Sequence, residues 1–137
     1  MAKVNDLKEH TISSETIASG GMLTVKRDQV RLPNGHQSQR EYVLHPGAVV
    51  IVPMLENGNV IFERQFRYPL HQVFIELPAG KIDLNETVLV TGQRELQEET
   101  GYTANEWIKL GLQHPCIGYS NEIIHIYLAR GLTKGQH

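Results

Sequence analysis

The segment that most constrains this chain is residues 80–102, GKIDLNETVLVTGQRELQEETGY. It predicts a helix that starts at Asn85, a favourable N-cap, with Glu86 in the first turn, where the helix dipole stabilises a negative charge. Gly101 is placed to end the helix, because glycine readily takes the left-handed conformation of a C-terminal cap. One face has small or apolar residues at positions i, i+3 and i+7, so we expect it to turn inward. The residues of this face are Leu89, Gly92 and Leu96.

Three glutamates of the predicted helix, Glu95, Glu98 and Glu99, have a spacing that crowds their carboxylates together on another face. Like charges at this spacing repel each other by a few tenths of a kcal/mol, roughly, for each pair. A divalent cation offsets that repulsion, and Mg²⁺ and Mn²⁺ prefer such hard oxygen ligands. Arg94 can reach another carboxylate and hold the helix against the preceding loop. The residues alone allow either a solvated glutamate face or a cation site.

The spacing of the whole segment resembles the Nudix box of the Nudix hydrolase family. Five residues separate Gly80 from Glu86, and seven more separate Glu86 from the run RELQEETGY at 94–102. Tyr102 stands where the family has an aliphatic residue. The resemblance implies a hydrolase that cleaves a nucleoside diphosphate linked to another moiety, with water attacking one phosphorus.

The resemblance also implies roles for individual residues of this chain. The expected cofactor is Mg²⁺ or Mn²⁺, and Glu86 and Arg94 are expected to position the box. The expected catalytic residues are Glu86, Arg94, Glu95, Glu98 and Glu99. The expected metal ligands are Glu95, Glu98, Glu99 and the backbone carbonyl of Ala79.

Three flanking segments are similar to those of ADP-ribose and nucleoside diphosphate sugar pyrophosphatases: RQFRYP at 64–69, FIELPAGKI at 74–82 and GYSNE at 118–122. They imply a set of substrate-binding residues. This set is Arg64, Arg67, Tyr68, Glu76, Gly80 and Glu122. The arginines and glutamates also have a plainer interpretation as surface, edge or loop charges, and Tyr68 as a core aromatic.

The expected substrate is therefore ADP-ribose or a related nucleoside diphosphate sugar, cleaved to a nucleoside monophosphate and a sugar phosphate. Ile117-Gly118 stands where ADP-ribose members commonly have Pro-Gly, which bears on the substrate and not on the hydrolase assignment. Two alternatives stay open. One is a Nudix hydrolase of nucleoside triphosphates or dinucleoside polyphosphates, and the other is a non-catalytic nucleotide-binding module.

The rest of the 137-residue chain predicts an α/β or α+β sandwich with a mixed sheet, which by resemblance is the Nudix αβα fold. Residues 1–45 are expected to form an antiparallel strand region that pairs two subunits of a homodimer, and residues 46–137 the catalytic domain. The polar residues 131–137 leave open a truncated C-terminal element. The predicted strands are 20–26, 29–32, 39–44, 47–53 (buried on both faces), 59–66, 74–77, 107–113 and 122–128. The predicted turns and loops are Arg27-Asp28, 33–35, Asn57-Gly58 and 70–73.

Bulk properties argue against several other classes of protein. A net charge of −2 and a pI near 6.4 do not suit a nucleic-acid surface built on bulk charge. The longest apolar run, 47–55, is far too short to span a membrane. A single cysteine, Cys116, suits a reducing compartment, and residues 1–10 are unlike a signal peptide. We therefore expect a cytoplasmic protein without nucleic-acid or membrane partners.

Overall fold

The computed structural model describes residues 7–135, which form nine β-strands and one α-helix. In chain order the elements are β1 (His10–Ser19), β2 (Thr24–Arg31), β3 (Gln37–Leu44), β4 (Ala48–Pro53), β5 (Glu63–Arg67), a 3-10 helix (Tyr68–Leu70), β6 (Gln72–Glu76), β7 (Ala79–Lys81), α1 (Val88–Thr100), β8 (Tyr102–Gln113) and β9 (Ile124–Lys134). The predicted α+β class with a mixed sheet is confirmed. Two compact units are formed, by residues 7–45 with 116–122 and by residues 46–115 with 123–135. The predicted segments also include 1–6 and 136–137, which lie outside the described residues.

The first unit contains an antiparallel sheet in the order β1-β2-β3. The predicted turn at Arg27-Asp28 is wrong, because β2 continues through both residues and pairs them with β3. Nη2 of Arg27 lies 2.7 Å from the carboxylate of Glu41, and the Tyr42 hydroxyl donates to Asp28 at 3.3 Å. These cross-strand contacts hold a polar segment in extended conformation.

The same unit also contains the turn at 33–35, the outer strand β1 and segment 116–122. The turn at 33–35 is confirmed, with Gly35 at a φ of 87° and a hydrogen bond from the Leu32 amide to the His36 carbonyl. Strand β1 was not predicted, because its residues are mostly polar and all are exposed, so they show no alternation. Segment 116–122 joins β3 through a hydrogen bond from the Val43 amide to the Tyr119 carbonyl at 2.7 Å.

The second unit contains a mixed sheet in the order β7-β4-β9-β8, in which β4 runs parallel to β9 and antiparallel to β7. The prediction of a strand at 47–53 is confirmed, but its burial on both faces is wrong. Val49, Ile51 and Pro53 are buried, whereas the residues between them are half-buried. This alternation arises because one face of β4 packs in the core with Leu96 of α1.

Helix α1 starts later than the sequence suggests. Its N-cap is Thr87, whose hydroxyl accepts a hydrogen bond from the Val90 amide at 3.3 Å. Asn85 has a φ of 67°, a left-handed conformation that asparagine tolerates, so it belongs to the preceding turn. Glu86 therefore lies before the helix and not in its first turn. The predicted end is confirmed, because Gly101 has a φ of 73° and caps the last turn.

The inward face of α1 is partly as predicted. Gly92 and Leu96 are buried, but Leu89 is 38% exposed and Thr91 is buried in addition. A Cβ at Gly92 would lie 3.3 Å from side-chain atoms of both Val49 and Trp107. The absence of a side chain at position 92 thus lets the helix approach the sheet closely, as the sequence suggested.

A two-stranded antiparallel hairpin, β5–β6, precedes the helix in the second unit. The predicted turn at Asn57-Gly58 is confirmed by the hydrogen bond from the Gly58 amide to the Leu55 carbonyl at 2.9 Å. The strand after it begins only at Glu63, and the predicted loop at 70–73 is replaced by the 3-10 helix and the start of β6.

Strands β8 and β9 are longer than predicted and pair along their length, from Tyr102 opposite Lys134 to Gln113 opposite Ile124. Residues 131–134, which show no pattern in the sequence, are therefore the end of a strand. Within residues 7–135, no helix combines the length and apolar character needed to cross a membrane.

Candidate active site

Arg94, in the middle of α1, is the centre of an ion-pair network. Its Nε and Nη2 donate to the two carboxylate oxygens of Glu86 at 2.9 and 3.0 Å. Its Nη1 donates to Glu95 at 2.7 Å and to Glu98 at 3.2 Å. Asp83, in the loop before the helix, lies 3.5 Å from Nη2. The prediction that Arg94 holds the helix against this loop is confirmed.

Glu86 is fixed from both sides by hydrogen bonds to its carboxylate. Arg94 donates two of them, and the buried Thr91 hydroxyl donates another at 2.9 Å. The bonds from Arg94 first, and then the one from Thr91, lower the pKa of Glu86 to about 2. Glu86 is therefore an ionised anchor for the start of the helix.

Glu95 lies directly against β7. A Cβ on Gly80 would lie 2.0 Å from both Cδ and Oε1 of Glu95, so glycine is the residue that leaves room for this carboxylate. The predicted site residue Gly80 thus has a steric role that the structure makes explicit: it sets the distance between strand and helix at the glutamates.

Glu99 points away from Arg94 and toward the strands. Its Oε2 accepts a hydrogen bond from the Ala79 amide at 3.0 Å. The carboxyl group of Glu63 is close enough for each of the two groups to influence the pKa of the other. Burial of the carboxyl group, with the nearby charges of Glu63 and Glu95, raises the pKa of Glu99 to about 7. Within residues 7–135, neither Glu63 nor Glu99 has an arginine or lysine within 4 Å of its carboxylate.

Glu63 was not among the predicted site residues. It is the first residue of β5 and directly precedes the RQFR run, which contains the two predicted arginines. Burial, followed by repulsion from Glu76 and Glu95, raises the pKa of Glu63. Strand alternation could have found it, because Glu63 and Arg67 are four residues apart and so share one face of β5.

The two predicted arginines lie on opposite faces of the β5–β6 hairpin. Arg67 forms a two-pronged ion pair with Glu76, including an Nε–Oε1 contact of 2.8 Å. Glu76 lies opposite Glu63 in the strand register, so this face carries Glu63, Arg67 and Glu76. Arg64 lies opposite Ile75, which is 72% exposed, and so belongs to the other face.

The remaining predicted substrate residues are not drawn into this network. Tyr68 lies in the 3-10 helix, is 73% exposed and has its ring centre 4.8 Å from that of His71. Glu122 belongs to the first unit, where its carboxylate lies 3.7 Å from Nε2 of His45. Substrate contacts by Tyr68 and Glu122 stay predictions.

The predicted glutamate face is divided in the structure: Glu95 and Glu98 meet at Nη1 of Arg94, whereas Glu99 accepts a hydrogen bond from the Ala79 amide. Among the described residues, no group of three or more His, Cys, Asp or Glu side chains converges as a set of metal ligands. The reason is that Arg94 attracts Glu95 and Glu98, whereas Glu99 turns to the Ala79 amide.

The chemistry of the donors still fits a divalent cation. Carboxylate oxygens are the ligands that Mg²⁺ and Mn²⁺ prefer, and such sites often use only one or two carboxylates together with water and substrate oxygens. In the part of the chain that the structure describes, the Glu99 carboxylate has no lysine or arginine within 4 Å, so its oxygens are open to such a cation apart from the hydrogen bond from the Ala79 amide.

An α+β fold that presents a glutamate-rich helix against a glycine-containing strand defines a candidate hydrolase domain. The family model described as NUDIX domain matches residues 44–137, and the one described as nucleoside diphosphate sugar hydrolase N-terminal domain matches residues 9–43. The chain belongs to the Nudix family, and the predicted Nudix hydrolase assignment is confirmed.

Named relatives and a solved structure agree with this family. The ADP-ribose pyrophosphatase of Bacillus subtilis (strain 168) is 42% identical over 130 residues, which are 95% of this chain and 70% of that protein. The methanol dehydrogenase activator of Bacillus methanolicus is also 42% identical, over 132 residues, with the same two shares. The ADP-ribose pyrophosphatase of Mycobacterium tuberculosis (strain ATCC 25618 / H37Rv) is 44% identical over 125 residues, which are 90% of this chain and 60% of that protein.

The structural comparison confirms the predicted fold. A crystal structure of an ADP compounds hydrolase matches with a TM-score of 0.83 and 26% identity, covering 95% of this chain and 71% of that one.

Proposed function

We propose that this chain is a divalent-metal-dependent pyrophosphohydrolase that cleaves ADP-ribose or a related nucleoside diphosphate sugar. The products would be a nucleoside monophosphate and a sugar phosphate. The observation that carries the proposal is the pairing of a Nudix domain with a segment described as a nucleoside diphosphate sugar hydrolase N-terminal domain. Two relatives with more than 40% identity that are named ADP-ribose pyrophosphatase support the same substrate.

The proposed cofactor is Mg²⁺ or Mn²⁺, with ligands drawn from Glu95, Glu98, Glu99 and the Ala79 carbonyl. When bound, such a cation would neutralise charge on the pyrophosphate and lower the pKa of a coordinated water. Glu99 is the most available of the three glutamates, because Glu95 and Glu98 already share the positive charge of Arg94. Arg94 and Glu86 would hold the helix in place.

Arg67 is the proposed phosphate contact. Its guanidinium lies on the face of the hairpin that also carries Glu63, and the Glu76 carboxylate fixes its direction. A planar guanidinium can bind two phosphate oxygens at once, so a pre-oriented arginine loses little freedom when substrate arrives. Tyr68 would stack its exposed ring on the base, and Glu122 would supply a further carboxylate to the substrate region.

We also propose that the protein is a cytoplasmic homodimer that pairs through its N-terminal sheet. The outer strand β1 is exposed over all of its ten residues and includes Ile12 and Ile17, which are 46% and 39% exposed. An unpaired edge with exposed isoleucines is a surface that another strand or sheet can cover. Light scattering after size-exclusion chromatography tests this; the molar mass of a single chain would contradict the dimer.

Product analysis tests the proposed reaction. We would incubate the protein with ADP-ribose, ADP-glucose, GDP-mannose, a dinucleoside polyphosphate and a nucleoside triphosphate, first with Mg²⁺ and then with Mn²⁺. The expected result is AMP and ribose 5-phosphate from ADP-ribose, with slower cleavage of the others. Faster cleavage of the triphosphate or of the dinucleoside polyphosphate would replace the proposed substrate by that compound.

A second candidate function is regulatory binding, which the relative named methanol dehydrogenase activator favours. The chain would then act on another enzyme instead of, or in addition to, hydrolysing a free nucleotide. Product analysis separates the two. Tight binding of ADP-ribose with Mg²⁺ but without any product would favour the regulatory function.

A further inference from the structure

We propose that Thr91 is a positioning residue of the candidate active site: its hydroxyl group fixes the Glu86 carboxylate, and this carboxylate in turn fixes Arg94. The inference deepens the proposed function and rests on it, because Arg94 holds two of the proposed metal ligands, Glu95 and Glu98.

The first support is the burial of the Thr91 side chain. Thr91 is fully buried in α1, and a buried hydroxyl group that lacks a hydrogen-bond partner costs free energy. Two acceptors lie within reach of its oxygen, Oε2 of Glu86 at 2.9 Å and the Thr87 carbonyl at 3.1 Å. A hydroxyl group has one hydrogen to donate, so only one of these acceptors can be its full partner.

The second support is that Glu86 is the better partner of the two. The Thr87 carbonyl already accepts the helical hydrogen bond from the Thr91 amide at 3.0 Å, so it does not need the hydroxyl group. A carboxylate is also the stronger acceptor, because a hydrogen bond to a charged group is roughly twice as strong as one between neutral groups. The hydroxyl of Thr91 therefore does more than make the local bond to residue i−4 that is common for threonine in a helix.

The third support is that Thr91 ties the ion pair of Glu86 and Arg94 to the helix. Arg94 donates to both oxygens of Glu86, at 2.9 and 3.0 Å, so the two planar groups move together. The flexible stem of an arginine does not hold such a pair in one place. Thr91 has a short, branched side chain with few rotamers, and its bond to Oε2 gives the pair a fixed point on α1.

The orientation of Glu86 is passed on to the glutamates of α1. The guanidinium of Arg94 is rigid and planar, so the direction of its edge toward Glu86 also sets the direction of Nη1. Nη1 donates to Glu95 at 2.7 Å and to Glu98 at 3.2 Å. Loss of the Thr91 hydroxyl would therefore displace carboxylates that it reaches only through Arg94.

Variants that separate the hydroxyl group of Thr91 from its methyl group test the inference. Thr91→Val removes the hydroxyl and keeps the branched shape, whereas Thr91→Ser keeps the hydroxyl and removes the methyl group. The control Thr103→Val removes a hydroxyl from β8 that donates to the Thr133 carbonyl at 3.5 Å. We would measure kcat and KM for ADP-ribose with Mg²⁺, and the exchange of the Arg94 Nε proton with water by heteronuclear NMR.

We expect Thr91→Val to lower kcat about tenfold, less than the roughly 10²-fold that a misplacement of about 1 Å can cost, and to speed the exchange of the Arg94 Nε proton. KM should stay within about twofold of the wild type, because the proposed phosphate contact, Arg67, lies on β5 and not on α1. Thr91→Ser and the control should keep both readouts close to the wild type. A purely structural role of Thr91 predicts a different pattern, in which loss of the buried methyl group is as harmful as loss of the hydroxyl.

The outcomes separate this inference from the proposed function. A kcat for Thr91→Val within about twofold of an active wild type, or an equal loss in Thr91→Ser, would overturn the role of the hydroxyl alone. Absence of turnover by the wild type would overturn the proposed function. Exchange of the Arg94 Nε proton would then decide on Thr91: faster exchange in Thr91→Val would support its role, and equal rates would overturn it. Urea unfolding shows whether each variant is folded, and Thr91→Ala against Thr91→Ser gives the same hydroxyl comparison if Thr91→Val does not fold.

Discussion

The cluster formed by Glu86 and the glutamates of α1 has two ends, which differ in how their negative charge is balanced. At one end, Glu86, Glu95 and Glu98 share a single guanidinium, that of Arg94. At the other end, Glu99 has no arginine or lysine within 4 Å among the described residues, and burial together with the charges of Glu63 and Glu95 raises its pKa. The difference teaches that one arginine can divide a group of glutamates into a part whose charge it neutralises and a part that needs an external partner.

This division has consequences for function. Carboxylates that share a fixed arginine are held in one place, which suits the task of positioning a helix. A divalent cation stabilises carboxylates that would otherwise repel each other, which suits the task of holding a cofactor. We therefore expect substitutions at the two ends to affect different measurements.

The largest effect is expected for Glu99→Gln. We expect kcat for ADP-ribose to fall by about 10²–10³, because charge stabilisation in the transition state is lost. The fold should persist, since a glutamine side-chain oxygen can still accept the Ala79 amide hydrogen. Steady-state kinetics with a circular dichroism check measures this, with Glu106→Gln as the control. Unchanged turnover in Glu99→Gln would remove Glu99 from the catalytic set.

A slightly smaller effect is expected for Gly80→Ala. The new Cβ would lie 2.0 Å from Glu95 Cδ, so that carboxylate and its contact with Arg94 must shift. A misplacement of about 1 Å can cost roughly 10²-fold in rate.

The matched control for Gly80→Ala is Gly92→Ala on the same unit. Its Cβ would meet Val49 and Trp107 at 3.3 Å, a tight contact with side chains of the core region and not with a glutamate. We expect near wild-type kcat and a change in unfolding free energy within about 1 kcal/mol, because better helix propensity offsets the crowding. Equal rate losses in the two alanine variants would show that the steric role of Gly80 is not specific to the site.

The two arginines of the hairpin sharpen the comparison further. Arg67→Ala should raise KM by about tenfold or more with a smaller effect on kcat, because a charge-assisted contact to phosphate is worth about 1.5–3 kcal/mol. Arg64→Ala, on the opposite face, should leave both constants close to the wild type. An equal rise in KM in both variants would contradict the assignment of the two faces.

The smallest effect is expected at the neutralised end and concerns stability against pH. The folded-state pKa of Glu86, about 2, lies below its ordinary value of 4.5, so Glu86 stabilises the fold fully above pH 4.5 and progressively less as the pH falls toward 2. Glu86→Gln should therefore be less stable than the wild type at pH 7, and the difference should shrink at lower pH. Urea unfolding at pH 7, 4.5 and 3 measures it. A constant difference over this range would mean that the carboxylate charge of Glu86 does not contribute.

The parts of the fold that the sequence predicts are those governed by local rules. Gly101 caps the helix, and residues 33–35 form a turn. Both features are local, because glycine allows backbone conformations with positive φ and proline fixes its own φ angle. The start of α1 is different. Asn85 and Thr87 are both good cap residues, and the choice between them is made by tertiary contacts of Glu86 with Arg94 and Thr91.

The candidate site shows the same limit. The box spacing locates Glu95, Glu98 and Glu99 on one helix, but spacing does not say which of them Arg94 will attract. Glu63 lies outside the box in sequence, and its influence on the pKa of Glu99 depends on the tertiary fold, which brings β5 near this glutamate. Which side chains pair across separate elements depends on the tertiary fold, so the spacing of residues within one element does not predict it.

The most direct test of the account is to locate the cation. Crystals grown with Mn²⁺ would be measured at a wavelength that gives strong anomalous scattering from manganese. We expect an anomalous peak within coordination distance of the Glu99 carboxylate, with the Arg94–Glu86 ion pair intact. A peak coordinated only by Glu95 and Glu98, with Arg94 displaced from both, would contradict the division of the cluster into a neutralised end and a cation-binding end.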